Sequence, residues 1–220
     1  MKLRARTALV LSAHADDAEF GCAGTVSKLI AAGVKVTSVV FSICREAVDR
    51  MKYPEDIRKT ECKEASAILG IKNLRILDYP VRRFTQYRQE ILQELIDIRA
   101  KEKYDLVFTH WKDDVHQDHN VVAAESFRAF KGVNTTLLSY EVPLDCQAFS
   151  PNVFVPLTQK EVDEKIDAVW CYQSEVLRRP YFSKEVVLSS LGYRGPFAAT
   201  KYAEAFEMRI MVVDSLEMYE

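Results

Sequence analysis

The feature that most restricts this fold is an alternation, running as far as Tyr140, of short apolar runs with longer stretches of helical period. Ala8-Leu9-Val10-Leu11 is continuously apolar, the pattern of a strand buried on both faces. After it, Val26, Leu29 and Ile30 share one helical face, and Gly33 stands where a left-handed stop would fall. The β-branched stretch Val34 to Ile43 reads as a second strand. Glu55 to Leu69 reads as a charged helix closed by Gly70, and Leu74 to Leu77 as a short strand. Thr85 to Lys103 carries Ile91, Leu92, Leu95, Ile96 and Ile98, which make an amphipathic helix. Leu106-Val107-Phe108 is another buried strand, Val121 to Phe130 a helix stopped by Gly132, and Thr136 to Tyr140 a further strand. Strands alternating with helices need crossover connections. The expected fold is therefore α/β, with a doubly wound, mostly parallel, Rossmann-like sheet.

Beyond Tyr140 the pattern changes. Glu141 to Pro156 holds three prolines and no clear period, so a long loop with one short strand is expected there. Placed after a strand, it would shape the substrate-side rim, with Asp145 and Gln147 influencing substrate choice. Thr158-Gln159-Lys160-Glu161 is a capping-box pattern, continued as a helix by Val162, Ile166, Val169 and Trp170 until Pro180 closes the region. Ala203 to Val213 supplies one more strand. At roughly 100–200 residues per domain, 220 residues make one domain. Residues 1–140 would be its core, and 141–220 a rim loop and C-terminal elaboration.

Thirty basic against thirty-two acidic side chains leave a net charge of −2, without the basic footprint of a dedicated nucleic-acid binder. The five cysteines are odd in number and scattered, with no Cys-x-x-Cys pair, which fits free thiols in a reducing, cytoplasmic compartment. Ala8 to Ala13 is too short for a signal segment, and no run approaches the roughly 18 apolar residues of a membrane span. The expected partner is a small molecule, with neither nucleic acid nor membrane involved. Exposed Met208, Met211 and Met218 leave room for a homo-oligomer.

All four histidines fall in two short segments, His14-Ala15-Asp16-Asp17 and His110 to His119, each beginning where a strand ends. In open α/β sheets, ligands bind outside the carboxyl ends of the strands, so groups about a hundred residues apart can meet there. Imidazole and carboxylate are the ligands that zinc accepts, and a catalytic zinc uses three of them plus a water. The two segments offer more than three, leaving some free to move protons.

His14-Ala15-Asp16-Asp17-Ala18-Glu19-Phe20-Gly21-Cys22-Ala23-Gly24-Thr25 resembles the opening signature of the PIG-L/LmbE-like N-acetylglucosaminyl deacetylases. His116-Gln117-Asp118-His119 resembles their second signature, and Arg194-Gly195 with Tyr202 to Phe206 extends the likeness toward the end. The resemblance implies a hydrolase that removes an N-acetyl group from an amino sugar or sugar conjugate. It makes His14, Asp17 and His119 the ligands of one Zn2+ per chain, other divalent metals being possible. It makes Asp16 the general base and His116 the electrostatic partner or general acid. Asp118 would orient a histidine by accepting its other N–H. Ala15 and Gln117 stand where the family has proline, which affects loop stiffness and leaves the ligands intact.

Arg45, Arg82 and Arg83 follow strands and are candidates for contacting a hydroxyl-rich or anionic substrate. His110 and Asp113 fall close enough to line the site, without an assigned role. Gly24 is expected to allow close backbone approach near the metal, and Thr25 to cap the following helix. Histidine–aspartate clusters also hold metals for phosphoryl chemistry, so a metal-dependent phosphohydrolase is the rival enzyme reading. A carbohydrate-binding protein with a vestigial metal site is the non-catalytic one.

Overall fold

Strand β1 (Thr7–His14) is paired on both edges, with β2 (Lys35–Ser42) on one side and β4 (Leu106–His110) on the other. The computed structural model describes residues 5–176 and 178–212, and among these seven strands form one sheet in the order β3-β2-β1-β4-β5-β7-β6. β3 (Asn73–Ile76) and β5 (Thr136–Tyr140) complete the parallel part. β7 (Ala203–Ile210) enters antiparallel beside β5 and pairs with β6 (Val153–Pro156), the short strand expected inside the proline-rich loop. Pro156 sits at the end of that edge strand, where a missing ladder donor is tolerated.

The apolar run of β1 is continuous because both faces are covered. Leu9, Leu11 and Ala13 pack toward Ile91, Leu95 and Ile98 of α3 (Arg88–Lys101) and Val121 and Val122 of α4 (Gln117–Phe130). Ala8 and Val10 face the opposite way, into a cluster with Cys22 and Val26 of α1 (Asp17–Ala31). α2 (Ile57–Ile68) and α5 (Gln159–Trp170) complete that second layer. Gly33, Gly70 and Gly132 all adopt positive φ, as stop residues do. At the head of α5, the Glu161 carboxylate accepts the Thr158 N–H at 2.6 Å, closing the expected capping box. α6 (Gln173–Val176) is a single turn.

Helix α7 (Lys184–Arg194) lies where the pattern gave no element. Its paired serines and internal Gly192 dilute the helical period, and Ser183 Oγ caps it by accepting the Val186 N–H at 3.2 Å. The methionines also differ from expectation. Met208 and Met211 are half-buried, Met208 packing on the β1–β4 cluster, and Met218 lies outside the described residues, as does Val213.

Thr25 does not cap a helix, and Gly24 serves packing rather than approach to a metal. Both lie within α1, where the Gly24 and Thr25 N–H groups donate to the Glu204 carboxylate at 3.0 and 2.6 Å. Lys165 donates to the Phe20 carbonyl of the same helix and to Glu204 Oε1 at 2.7 Å. A buried ion pair is thus inserted into the hydrogen-bond ladder of α1, and a Cβ on Gly24 would meet Leu157 Cδ1 at 2.5 Å. Lys165→Met should leave the Glu204 charge uncompensated and cost about 3–5 kcal/mol. Urea unfolding should show this as a lower midpoint with an unchanged slope.

Candidate metal centre

The site is built from two strand-to-helix junctions. β1 ends at His14, Ala15 and Asp16 make the turn, and Asp17 opens α1. Asp16 occupies the N-cap position, yet its side chain makes no capping hydrogen bond, so its carboxylate is left to the cavity. β4 ends at His110, and the chain turns through Trp111 to Val115 before α4 begins. His116 is the N-cap of α4, its Nδ1 accepting the Asp118 N–H at 3.2 Å, and Asp118 and His119 follow in the first turn. Because β1 and β4 are neighbours, these junctions face each other at the point where the strand order reverses.

Three donor atoms converge there. His119 Nε2 lies 3.0 Å from His14 Nδ1, and each lies 3.4 Å from Asp17 Oδ2. Ligands held ~2.0–2.1 Å from one tetrahedral ion sit ~3.4 Å apart, so this triangle fits a single cation. The donors of His116, His14 and His119 also lie within 4.8 Å of one another, as do those of Asp17, His110 and His119 and of Asp114, His119 and Asp145. The far sides of the His14 and His119 imidazoles each face a carboxylate. His14 Nε2 is 3.2 Å from Asp118 Oδ2, and His119 Nδ1 is 2.8 Å from Asp114 Oδ2. Those carboxylates are themselves anchored: Asp118 Oδ1 accepts the Phe84 N–H at 3.2 Å, and Asp114 Oδ1 the His116 N–H at 2.7 Å.

The electrostatics favour a cation. Burial alone would raise the Asp17 carboxyl, but the imidazoles of His119, His14 and His110 hold it well below the usual carboxylate range. Burial also opposes a charged His119, yet Asp17 and Asp114 raise that ring to about 10. The same excess of negative charge would be met by a metal. Asp16 moves the other way from Asp17, raised by desolvation and then by repulsion from that neighbour. Desolvation, with His14 and His119 beside it, brings His116 down to about 4.

His14, Asp16, His116 and His119 border a cavity of about 590 Å³, and Asp145 of the rim loop lines it as well. Gln147 is exposed and outside its lining. Of the three candidate arginines, Arg82 reaches the cavity, while Arg45 is engaged by Asp78 at 3.0 Å and Arg83 is exposed elsewhere. Arg58, Arg178, Arg179 and Tyr181 line it instead. Arg58 escaped notice because a charged helix reads as a solvated surface, whereas its partner Glu175 is far along the chain. Asp113 is exposed and pairs with Lys112 at 3.4 Å; its neighbour Asp114 is the residue that turns inward. The two departures from proline are both tied down, Ala15 by its carbonyl to the Tyr172 hydroxyl and Gln117 by donating to the Arg82 carbonyl at 2.6 Å.

The family model described as PIG-L, GlcNAc-PI de-N-acetylase, matches residues 9–130, which span both junctions. The uncharacterized deacetylase YaiS of Escherichia coli is 26% identical over 171 residues, covering 76% of this chain and 90% of its own. The diacetylchitobiose deacetylase of Thermococcus kodakarensis is 26% identical over 216 residues, covering 89% of this chain and 80% of its own. Among solved structures, the N,N'-diacetylchitobiose deacetylase of Pyrococcus horikoshii superposes with a TM-score of 0.80 at 21% identity, over 93% of this chain and 84% of that one. At that identity the structural likeness speaks for the fold.

Asp114 makes a prediction of its own. Asp114→Asn would remove the anionic partner of His119 Nδ1, and loss of such outer partners weakens metal affinity roughly 10–100-fold. Competition with a chromophoric chelator, using zinc as the probe ion, should show that loss with helix content unchanged.

Proposed function

The chain belongs to the PIG-L (GlcNAc-PI de-N-acetylase) family, and on that premise we propose that it is a zinc-dependent hydrolase removing an N-acetyl group from an amino sugar or sugar conjugate. The observation that carries this reading is the convergence of His14 Nδ1, Asp17 Oδ2 and His119 Nε2 beside an Asp16 carboxylate that no helix cap consumes. His14, Asp17 and His119 would hold one divalent ion per chain. Such an ion supplies Lewis acidity toward water and the amide carbonyl.

The remaining steps fall to side chains of the chain. Asp16, raised above its ordinary value by desolvation and by Asp17, is suited to take a proton from the attacking water. As the C–N bond breaks, that proton passes to the departing nitrogen, giving acetate and a free amine. His116 spends Nδ1 on the Asp118 N–H, so its neutral ring carries the proton on Nε2. A donor in that position suits the oxygen on which charge develops. Arg82, Arg58 and Tyr181 on the wall would contact the sugar's hydroxyls or its substituent.

We infer that residues 1–220 act as one deacetylase domain, since Asp145, Arg178 and Arg179 of the C-terminal third border the same cavity as His14. The five cysteines are all unpaired, which supports a cytoplasmic location. No described helix is long and apolar enough to cross a membrane.

Amine release should be detected with fluorescamine for at least one N-acetylhexosamine derivative in a panel of free, nucleotide-linked and thiol-conjugated sugars. Zinc bound with silence across the panel would favour the non-catalytic reading. Two neighbouring variants separate ligand from base. Asp16→Asn should keep its zinc while kcat falls roughly 10²–10⁴-fold. Asp17→Asn should lose zinc and activity together. Metal content measured beside amine release decides, and the reverse pattern would exchange the two roles.

A further inference from the structure

The pairing of β1 with β4 stops early. Ladder partners run from Ala8–Leu106 to Val10–Phe108, whereas β1 continues beside β2 as far as His14–Ser42 and β4 beside β5 as far as His110–Tyr140. The two central strands therefore part at their carboxyl ends, at the reversal of strand order. The edge of β1 that faces the gap carries the Leu11 carbonyl and the Ala13 N–H, both fully buried residues that need partners. Side chains replace the missing strand. The Tyr140 hydroxyl donates to the Leu11 carbonyl at 2.8 Å, and the Ala13 N–H donates to His110 Nε2 at 3.0 Å.

That same His110 nitrogen lies 3.1 Å from Asp17 Oδ2, the oxygen of the converging triangle. It also lies 3.1 Å from the Tyr140 hydroxyl, and the His110 ring stacks on His119 with centroids 4.0 Å apart. Its other nitrogen, Nδ1, is buried and has no hydrogen-bond partner among the described residues. Beside that stacking, the polar contacts of this side chain among the described residues are therefore made at Nε2.

The geometry points to His110 as a positioning residue that wedges β1 from β4, accepting the Ala13 N–H at Nε2 beside His14 while its ring stacks on His119, so that the backbone carrying His14 and the His119 ring are held at a fixed spacing. This rests on the reading of His14, Asp17 and His119 as metal ligands, and adds to it the residue that sets their spacing. His110 does not enter the triangle itself, since its Nε2 is already occupied by the Ala13 N–H.

Substitutions that mimic one ring nitrogen at a time test the idea, because a glutamine amide reaches roughly where Nε2 sits and an asparagine amide where Nδ1 sits. The readout is zinc affinity of the full chain by chelator competition, with melting of the zinc-free protein recorded in parallel. His110→Phe keeps a ring against His119 but offers no nitrogen, and should bind zinc about 10–100-fold more weakly, the range for lost outer partners of a metal site. His110→Gln should recover most of that loss, and His110→Asn should not. Should His110→Phe fail to fold, the Gln and Asn variants decide between themselves. Equal zinc affinity in wild type and His110→Phe, or in the Gln and Asn variants, would overturn the positioning role, whatever the melting temperatures. A wild-type chain that binds no zinc would instead overturn the metal reading on which it rests.

Discussion

Everything at the site hangs on the short parallel contact between β1 and β4, three residue pairs joining segments about a hundred residues apart. That contact is a consequence of doubly wound topology, in which the first strand leads outward to β2 and β3 before the chain returns to lay β4 on its other edge. The junctions after β1 and β4 then open into one crevice. Side chains from both junctions meet there, two of the central ones from regular structure. His14 is the last residue of its strand and His119 lies in the first turn of its helix, so the framework of the sheet fixes both backbones.

A crevice this deep imposes a second demand, because polar atoms inside it must find partners. The solution is layered. His14 and His119 face each other across the centre, Asp118 and Asp114 stand behind them, and backbone N–H groups of Phe84 and His116 anchor those carboxylates in turn. The Phe84 contact brings the turn before α3 to the site, and Gln117 reinforces it through Arg82. The Asp114 side also reaches the rim loop, since the Cys146 thiol lies 3.3 Å from Asp114 Oδ2 and the Val115 N–H donates to the Asp145 carbonyl at 2.9 Å. The carboxylates behind His14 and His119 and the loop that lines the cavity are thus parts of one hydrogen-bonded unit.

Much of this was legible in the residues. The alternation of apolar runs and helical periods placed five parallel strands within a few residues of their observed limits, because buried parallel strands and amphipathic helices have distinct periods. The segments holding His14, Asp16, Asp17, His116 and His119 were marked by beginning where strands end, and the family resemblance singled out these five within them. What could not be read depended on distant pairings. Asp113 and Asp114 are chemically identical in a string, and only the turn after β4 decides which points inward. Arg58 looked like a surface charge until the chain supplied Glu175, and α7 was hidden by serines and a glycine that packing overrides. Met208 looked exposed in sequence because an edge-adjacent strand with mixed residues gives no sign of which face is covered.

The C-terminal third is more than a cover. Glu61 of α2 accepts both the Ser174 N–H and hydroxyl, at 2.8 and 2.7 Å, and Arg58 one turn earlier pairs with Glu175. Two charged residues of one helix thereby clasp the α6 turn, and Glu175 in turn gathers Arg178 at 3.3 Å and Arg179. Just before the clasp, the Tyr172 hydroxyl binds the carbonyl of Ala15, within the junction that carries Asp16. Desolvation of these groups is offset only while all of them are paired, so the segment cannot shift without stranding buried charge. The arginines at the cavity wall and the backbone beneath Asp16 therefore share one anchor. A part of the chain that looked like elaboration is what holds the first junction in place.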